Sequence, residues 1–209
     1  MTLRKNKQSV LYISVVMLLA ITVTAFVGLP SAEAKSDKSN GQPDFVAELV
    51  AEGTNDAKGH AWFWFDNDLD PTSLKYKIVL NKVDVGQVED HTGTDKNKGK
   101  GLEYFVEKLH IHAAPGKEHS SEHLLNVIGP DDDRDLIING HIISGIWDDD
   151  DAPGQAHHAS HQTKALTNQI EPLCAGETDV NVHLNGENQF IRGLINPNSE
   201  TCSNLFPNP

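Results

Sequence analysis

The sequence predicts an all-β fold, a sandwich or small barrel with one short helix. Three observations carry this. Apolar and polar residues alternate along several short runs, and Gly, Pro, Asn and Asp bound those runs. A single later segment shows helical spacing instead.

The chain of 209 residues is long enough for one domain with a real hydrophobic core, but it does not open on that domain. Arg4, Lys5 and Lys7 precede the uncharged apolar run 10–29. "PSAEA" follows, with Ala32 and Ala34 in the small-x-small pattern of a signal-peptidase site. The expectation is an export signal over residues 1–34, cut before Lys35. A run of this length also suffices for an uncleaved membrane anchor. Residues 35–43, "KSDKSNGQP", read as a flexible linker.

The β domain is expected over residues 44–196. "DFVAELVAE" alternates through Phe45, Ala47 and Leu49. "GHAWFWFDNDLDPTSLKYKIVLNKV" reads as a hairpin. One arm holds Trp62, Phe63, Trp64 and Phe65, the other Leu74, Tyr76, Ile78 and Leu80, and a turn of Asp, Asn and Pro joins them. Residues 84–101 are glycine-rich and aperiodic, as in a long surface loop. Strand signals resume in "LEYFVEKLHIHA", "HLLNVIG" and "LIINGHIISGIW". Residues 160–173 are the helical exception. Ala165, Leu166, Gln169, Ile170 and Leu173 form a stripe, with Ser160 as N-cap and Gly176 as stop. "DVNVHLN" and "QFIRGLIN" close the domain through "NGEN", which carries the Asn-Gly hairpin signal.

Charge narrows the partners. Of 17 Lys and Arg, three precede residue 35, and of 30 Asp and Glu only Glu33 does. The chain from Lys35 onward therefore carries 14 against 29, a net −15. Phosphate backbones need a basic stripe, so nucleic acid is excluded as a partner. The two cysteines, Cys174 and Cys202, form an isolated pair. In an exported chain such a pair reads as a disulfide, here tying down the tail 197–209 and stabilising the fold by roughly 3–4 kcal/mol.

The chemistry-bearing residues are histidines. In "VEKLHIH", strand alternation puts Val106, Lys108, His110 and His112 on one face and Glu107, Leu109 and Ile111 on the other. Two imidazoles projecting together suit a shared copper or zinc ion, and equally suit hydrogen-bonded histidines at a strand end. His183, beside Asn181 on the polar side of "DVNVHLN", is the candidate third ligand. One ion would require the three nitrogens to lie within roughly 4 Å of one another. His119 and His123 in "HSSEH", and His157, His158 and His161 in "HHASH", read as loop histidines. Asp66, Asp68 and Asp70 begin like an EF-hand loop, but Pro71 and Lys77 stand where its Gly and Glu belong, so a surface turn is expected. The sequence has no G-x-S-x-G, P-loop or H-E-x-x-H motif.

Taken together, "LKYKIVLNKV", "VEKLHIHAAPG", "INGHIISGIW", "LTNQIEPLCAGETDVNVHLN" and "FIRGLI" resemble the CHRD (chordin-type) domain of secreted proteins. His110, Ile111 and His112 match its H-I-H element, and Leu166 and Thr167 its helix start. Asn181, Val182 and His183 match its V-N-V-H strand, and Ile191, Arg192 and Gly193 its terminal I-R-G. Asp179 departs from the pattern, standing where an aromatic is usual, and so does Gln189-Phe190 in place of Gly-Glu. The resemblance implies an immunoglobulin-like, superoxide-dismutase-like β-barrel. It implies a secreted or cell-surface, non-enzymatic binding module whose partner is a protein or cell-surface component, with the membrane involved only if the N-terminal segment is retained. The alternative it implies is a copper or zinc protein using His110, His112 and His183. Dismutation would further need a fourth copper histidine and an Asp-containing zinc site, neither of which has recognisable spacing here.

Overall fold

The computed structural model describes residues 41–86, 104–129, 133–151, 162–185 and 188–206. The N-terminal apolar run, His157, His158, His161 and Ser160 lie outside them, as does most of the loop 84–101. No helix among the described residues is long and apolar enough to cross a membrane. The fold is all-β, with two short α-helices among the described residues where the sequence predicts one.

Alternation produces the strands. In β1 (Phe45–Glu52) the residues Phe45, Ala47 and Leu49 are buried and their neighbours exposed. β2 (Lys58–Phe65) and β3 (Ser73–Asn81) form the expected hairpin, burying Phe63, Phe65, Leu74, Tyr76, Ile78 and Leu80 on the same side. Its acidic turn is held by its own side chains. Asp66 accepts from the Thr72 and Ser73 amides, and Asn67 from Leu69 and Asp70.

After the short β4 (Val83–Asp84) come β5 (Tyr104–Ala113) and β6 (His123–Ile128). The run "LIINGHIISGIW" is two strands, not one. The two-residue turn Gly140-His141 makes it a hairpin of β7 (Ile137–Asn139) and β8 (Ile142–Asp148), with Gly140 at φ 62°. β9 (Thr178–Leu184), β10 (Phe190–Leu194) and β11 (Asn196–Pro197) complete the set. One curled sheet runs β4-β5-β9-β10-β1-β2-β3-β8-β7, with β6 added beside β5 and β11 beside β1. Trp147, Tyr76, Phe45, Phe63, Leu109 and Ile111 are among the side chains that fill its concave side.

The helical segment starts later and is shorter than its periodicity predicts. A 3-10 turn at Leu166–Asn168 leads into α1 (Ile170–Ala175), which buries Leu173 and stops at Gly176 in the left-handed conformation (φ 68°). Pro172 confines it: a proline is tolerated in the first helical turn, where no amide partner is lost, but not further along. The helix absent from the sequence reading is α2 (Ser199–Leu205), where Asn198 caps by accepting from the Glu200 amide. The Cys174–Cys202 disulfide, spanning 28 residues, joins the two helices. Asp44 seats the tail a second time, accepting from the Phe65 amide and the Thr201 hydroxyl.

Buried polar contacts set two glycines. A Cβ on Gly193 would overlap the backbone carbonyl of Glu48, which gives the glycine of "IRG" a packing reason. A Cβ on Gly145 would overlap the Tyr76 hydroxyl, which donates to Asp133 in the interior. Gly145→Ala should therefore lower unfolding free energy by at least about 2 kcal/mol, measured by urea denaturation. An unchanged midpoint would contradict this packing. Replacing both cysteines by serine should lower stability by about 3.5 kcal/mol, the chain-entropy value for a loop of this size.

Candidate metal centre

The site grows from the pairing of β5 with β9. Val180, Val182, Leu109 and Ile111 turn into the core, which leaves the intervening residues on the opposite face. The expected grouping of Val106 with the histidines fails. A register shift between Val106 and Lys108 changes the phase of the strand, so Val106 joins Leu109 and Ile111 in the core. Beyond it the register places His110 opposite Asn181, His112 opposite Asp179, and Lys108 opposite His183. β6 sets Asn126 beside His110 and His123 beside His112. On the far side β10 sets Arg192 beside Asn181 and Phe190 beside His183.

This polar face is largely closed to solvent. His110 is 2 % exposed and His112 3 %, and both line a cavity of about 340 Å³ with Lys108, His119, His123, Asn181, His183 and Arg192. The cover is the segment 114–122. Gly116 and Lys117 turn it in the left-handed region, and the Gly116 amide donates to the Glu177 carboxylate.

Fixed acceptors set the histidine tautomers. His110 Nε2 lies 2.7 Å from the Gly129 carbonyl, and His112 Nδ1 lies 2.8 Å from that of Ser120. A carbonyl can only accept, so those ring nitrogens carry the protons. The two remaining nitrogens, His110 Nδ1 and His112 Nε2, then face each other 3.4 Å apart, each with a lone pair and neither with a hydrogen. That separation matches two imidazoles on one tetrahedral ion with bonds near 2.0–2.1 Å, about 3.4 Å. His183 joins them: one nitrogen from each of the three lies within 4.8 Å of the others. This is wider than the 4 Å expected from the sequence. Asn181 sits 3.2 Å from His183 Nε2 through its amide nitrogen, with its buried Oδ1 unpartnered. Exchanging the two amide atoms would let Oδ1 accept from Nε2 and free Nδ1 for a ligand role.

Burial keeps the three rings neutral. Desolvation is the largest cause in each case, lowering His110 to about 2, His112 to about 3 and His183 to about 4. The charge of His123 adds to the effect on His110, and that of Lys108 to the effect on His183. A neutral imidazole is the ligand form.

Sequence reasoning missed His119 and His123 as neighbours of this site. His123 donates from Nδ1 to Asn126, and its ring lies 3.9 Å from that of His110, centroid to centroid. The available signal was positional, since His123 opens the strand "HLLNVI" directly after the H-x-H run. Comparison of the chain with protein-family models, with curated proteins and with solved structures finds no match.

Metal-free protein should lose stability on acidification. The unfolded chain binds protons at these imidazoles near pH 6.5, whereas the folded chain refuses them until pH 4 or below. Their contribution is thus full above about pH 6.5 and falls away below it. Asp133, raised by burial to about 6, has the opposite sign, as do Asp151 and Asp179, and these offset part of the loss. After chelator treatment the urea midpoint should fall between pH 7 and pH 5. A flat or rising profile would show that the rings are not buried and neutral.

Proposed function

We propose that this chain is an exported, CHRD-type β-domain protein that holds a copper or zinc ion through His110, His112 and His183. The observation that carries the metal reading is the facing pair of unprotonated nitrogens. Two lone pairs 3.4 Å apart repel unless a cation lies between them, and burial disfavours a proton there. The donor set fits copper or zinc, both of which accept neutral imidazole.

His110 and His112 would hold the ion at fixed orientation, because the Gly129 and Ser120 carbonyls set their tautomers. His183 would complete the set from the neighbouring strand. Copper would supply one-electron chemistry at such a site, and zinc Lewis acidity or cross-linking of β5 to β9. The ordered motifs support the CHRD-type reading, and the disulfide suits an oxidising compartment. As a non-enzymatic module the protein would meet its protein or cell-surface partner elsewhere on the domain, with the ion as a structural part.

Elemental analysis of protein exported with its own N-terminus provides the test. The wild type should carry close to one equivalent of copper or zinc, and His110→Ala and His183→Ala little. Equal metal content in all three would overturn the proposal. Added metal at a hundred times its dissociation constant should stabilise the wild type alone, by about 2.7 kcal/mol.

A further inference from the structure

The metal reading leaves Asp179 unexplained. This carboxylate sits on β9 with a side chain only 2 % exposed. Its Oδ2 accepts from His119 Nδ1 at 2.9 Å, with Arg192 Nε at 3.6 Å, and its Oδ1 has no hydrogen-bond partner. Burying a carboxylate with one oxygen unsatisfied is unfavourable, and the Arg192 contact is too long to be a hydrogen bond. Arg192 is moreover shared with Glu52, 3.3 Å from its Nη1. Of Asp179's contacts, the one with good geometry is to His119.

That contact has a chemical consequence. An ionised carboxylate only accepts, so His119 Nδ1 carries a proton, and in the neutral ring, the ligand form, Nε2 holds the lone pair. His119 lines the same cavity as His110, His112 and His183, and its ring centroid lies 4.8 Å from that of His112. The segment 114–122 that carries it is anchored to β9 twice, through Gly116 to Glu177 and through His119 to Asp179. It is anchored to the site itself through Ser120, whose carbonyl fixes His112. One short segment therefore orients one inner ligand and brings a fourth imidazole to the rim.

We infer that His119 is a fourth nitrogen ligand of the proposed ion, closing over it from the covering segment, and that Asp179 is the positioning residue that aims it. This rests on the three-histidine reading and adds to it. His119 is 27 % exposed at its side chain, so it closes from the solvent side, whereas His110 and His112 are buried and His183 is half-buried. The arrangement is a carboxylate–histidine–metal relay, in which the outer carboxylate fixes the tautomer and raises ligand basicity. Asp179 also stands where the resembling family has an aromatic, so this arm belongs to this chain's own sequence.

The test is electron paramagnetic resonance of the full-length exported protein loaded with one equivalent of copper(II), alongside a copper affinity titration. The wild type should show four coupled nitrogens and His119→Ala three, with weaker binding. Asp179→Ala should lower affinity about 10- to 100-fold, the usual effect of losing such an outer partner. Asp179→Asn, whose amide oxygen can still accept from Nδ1, should recover part of it. A purely structural role for Asp179 would change the melting temperature of the metal-free protein and leave the copper affinity of Asp179→Ala at the wild-type value, which would overturn the inference. Copper bound with the same nitrogen count and affinity in wild type and His119→Ala would overturn it too, while leaving the three-histidine site standing. A wild type that binds no copper would overturn both.

Discussion

The antiparallel pairing of β5 with β9 is the constraint on which the rest depends. Its register sets Ile111 against Val180 and Leu109 against Val182 on the core side, and His110 and His112 against Asn181 and Asp179 on the other. Because side chains alternate, a slip of one residue would send the imidazoles into the core and the aliphatic side chains out. The apolar side therefore enforces the polar one. The shift at Val106 confines this arrangement to the end of β5 that carries the histidines, leaving Glu107 and Lys108 exposed, with Lys108 at the cavity's edge.

A sheet face this polar and this enclosed is costly unless its groups find partners. Most do. Four of the histidines each direct one ring nitrogen to a carbonyl, an amide oxygen or a carboxylate. The buried side-chain atoms left unpartnered among the described residues are Thr178 Oγ1, Asp179 Oδ1, Asn181 Oδ1 and Arg192 Nε. All lie on β9 or its neighbour β10: Asn181 and Arg192 line the cavity and Asp179 adjoins it, while Thr178 shares the core face with Val180. Three of the four unpartnered atoms thus lie where a ligand would be held, while the opposite face of the same strands packs chiefly as a hydrophobic core.

Much of the fold was legible because it rests on alternation. Phe45, Ala47 and Leu49, and the arms of the β2–β3 hairpin, are buried as their spacing predicts. The misreadings have local causes. Gly140-His141 is a two-residue turn inside an apolar run, and Pro172 shortens a helix whose stripe looked longer. α2 has little periodicity and depends on the Asn198 cap, the disulfide and Thr201–Asp44. At the site, H-x-H was visible because i and i+2 share a strand face. His119, His123 and Asp179 were not, because their proximity comes from strand register and from the path of a loop, neither of which leaves a spacing pattern in one sequence.

The division of the site between near and far residues bears on its energetics. His110, His112, His119 and His123 come from one stretch of chain and could begin to gather around an ion before the domain is complete. His183 and Asp179 arrive only when β9 docks against β5, a long-range contact that closes a large loop. An ion held by both sets would bind the folded state far more tightly than any partly folded one, so its binding energy would add directly to the β5–β9 pairing. The same division explains why the tautomer-fixing acceptors for the inner pair, Gly129 and Ser120, are also local. The near half is oriented by its own strand, turn and covering segment, and the far half by the core that forces the register.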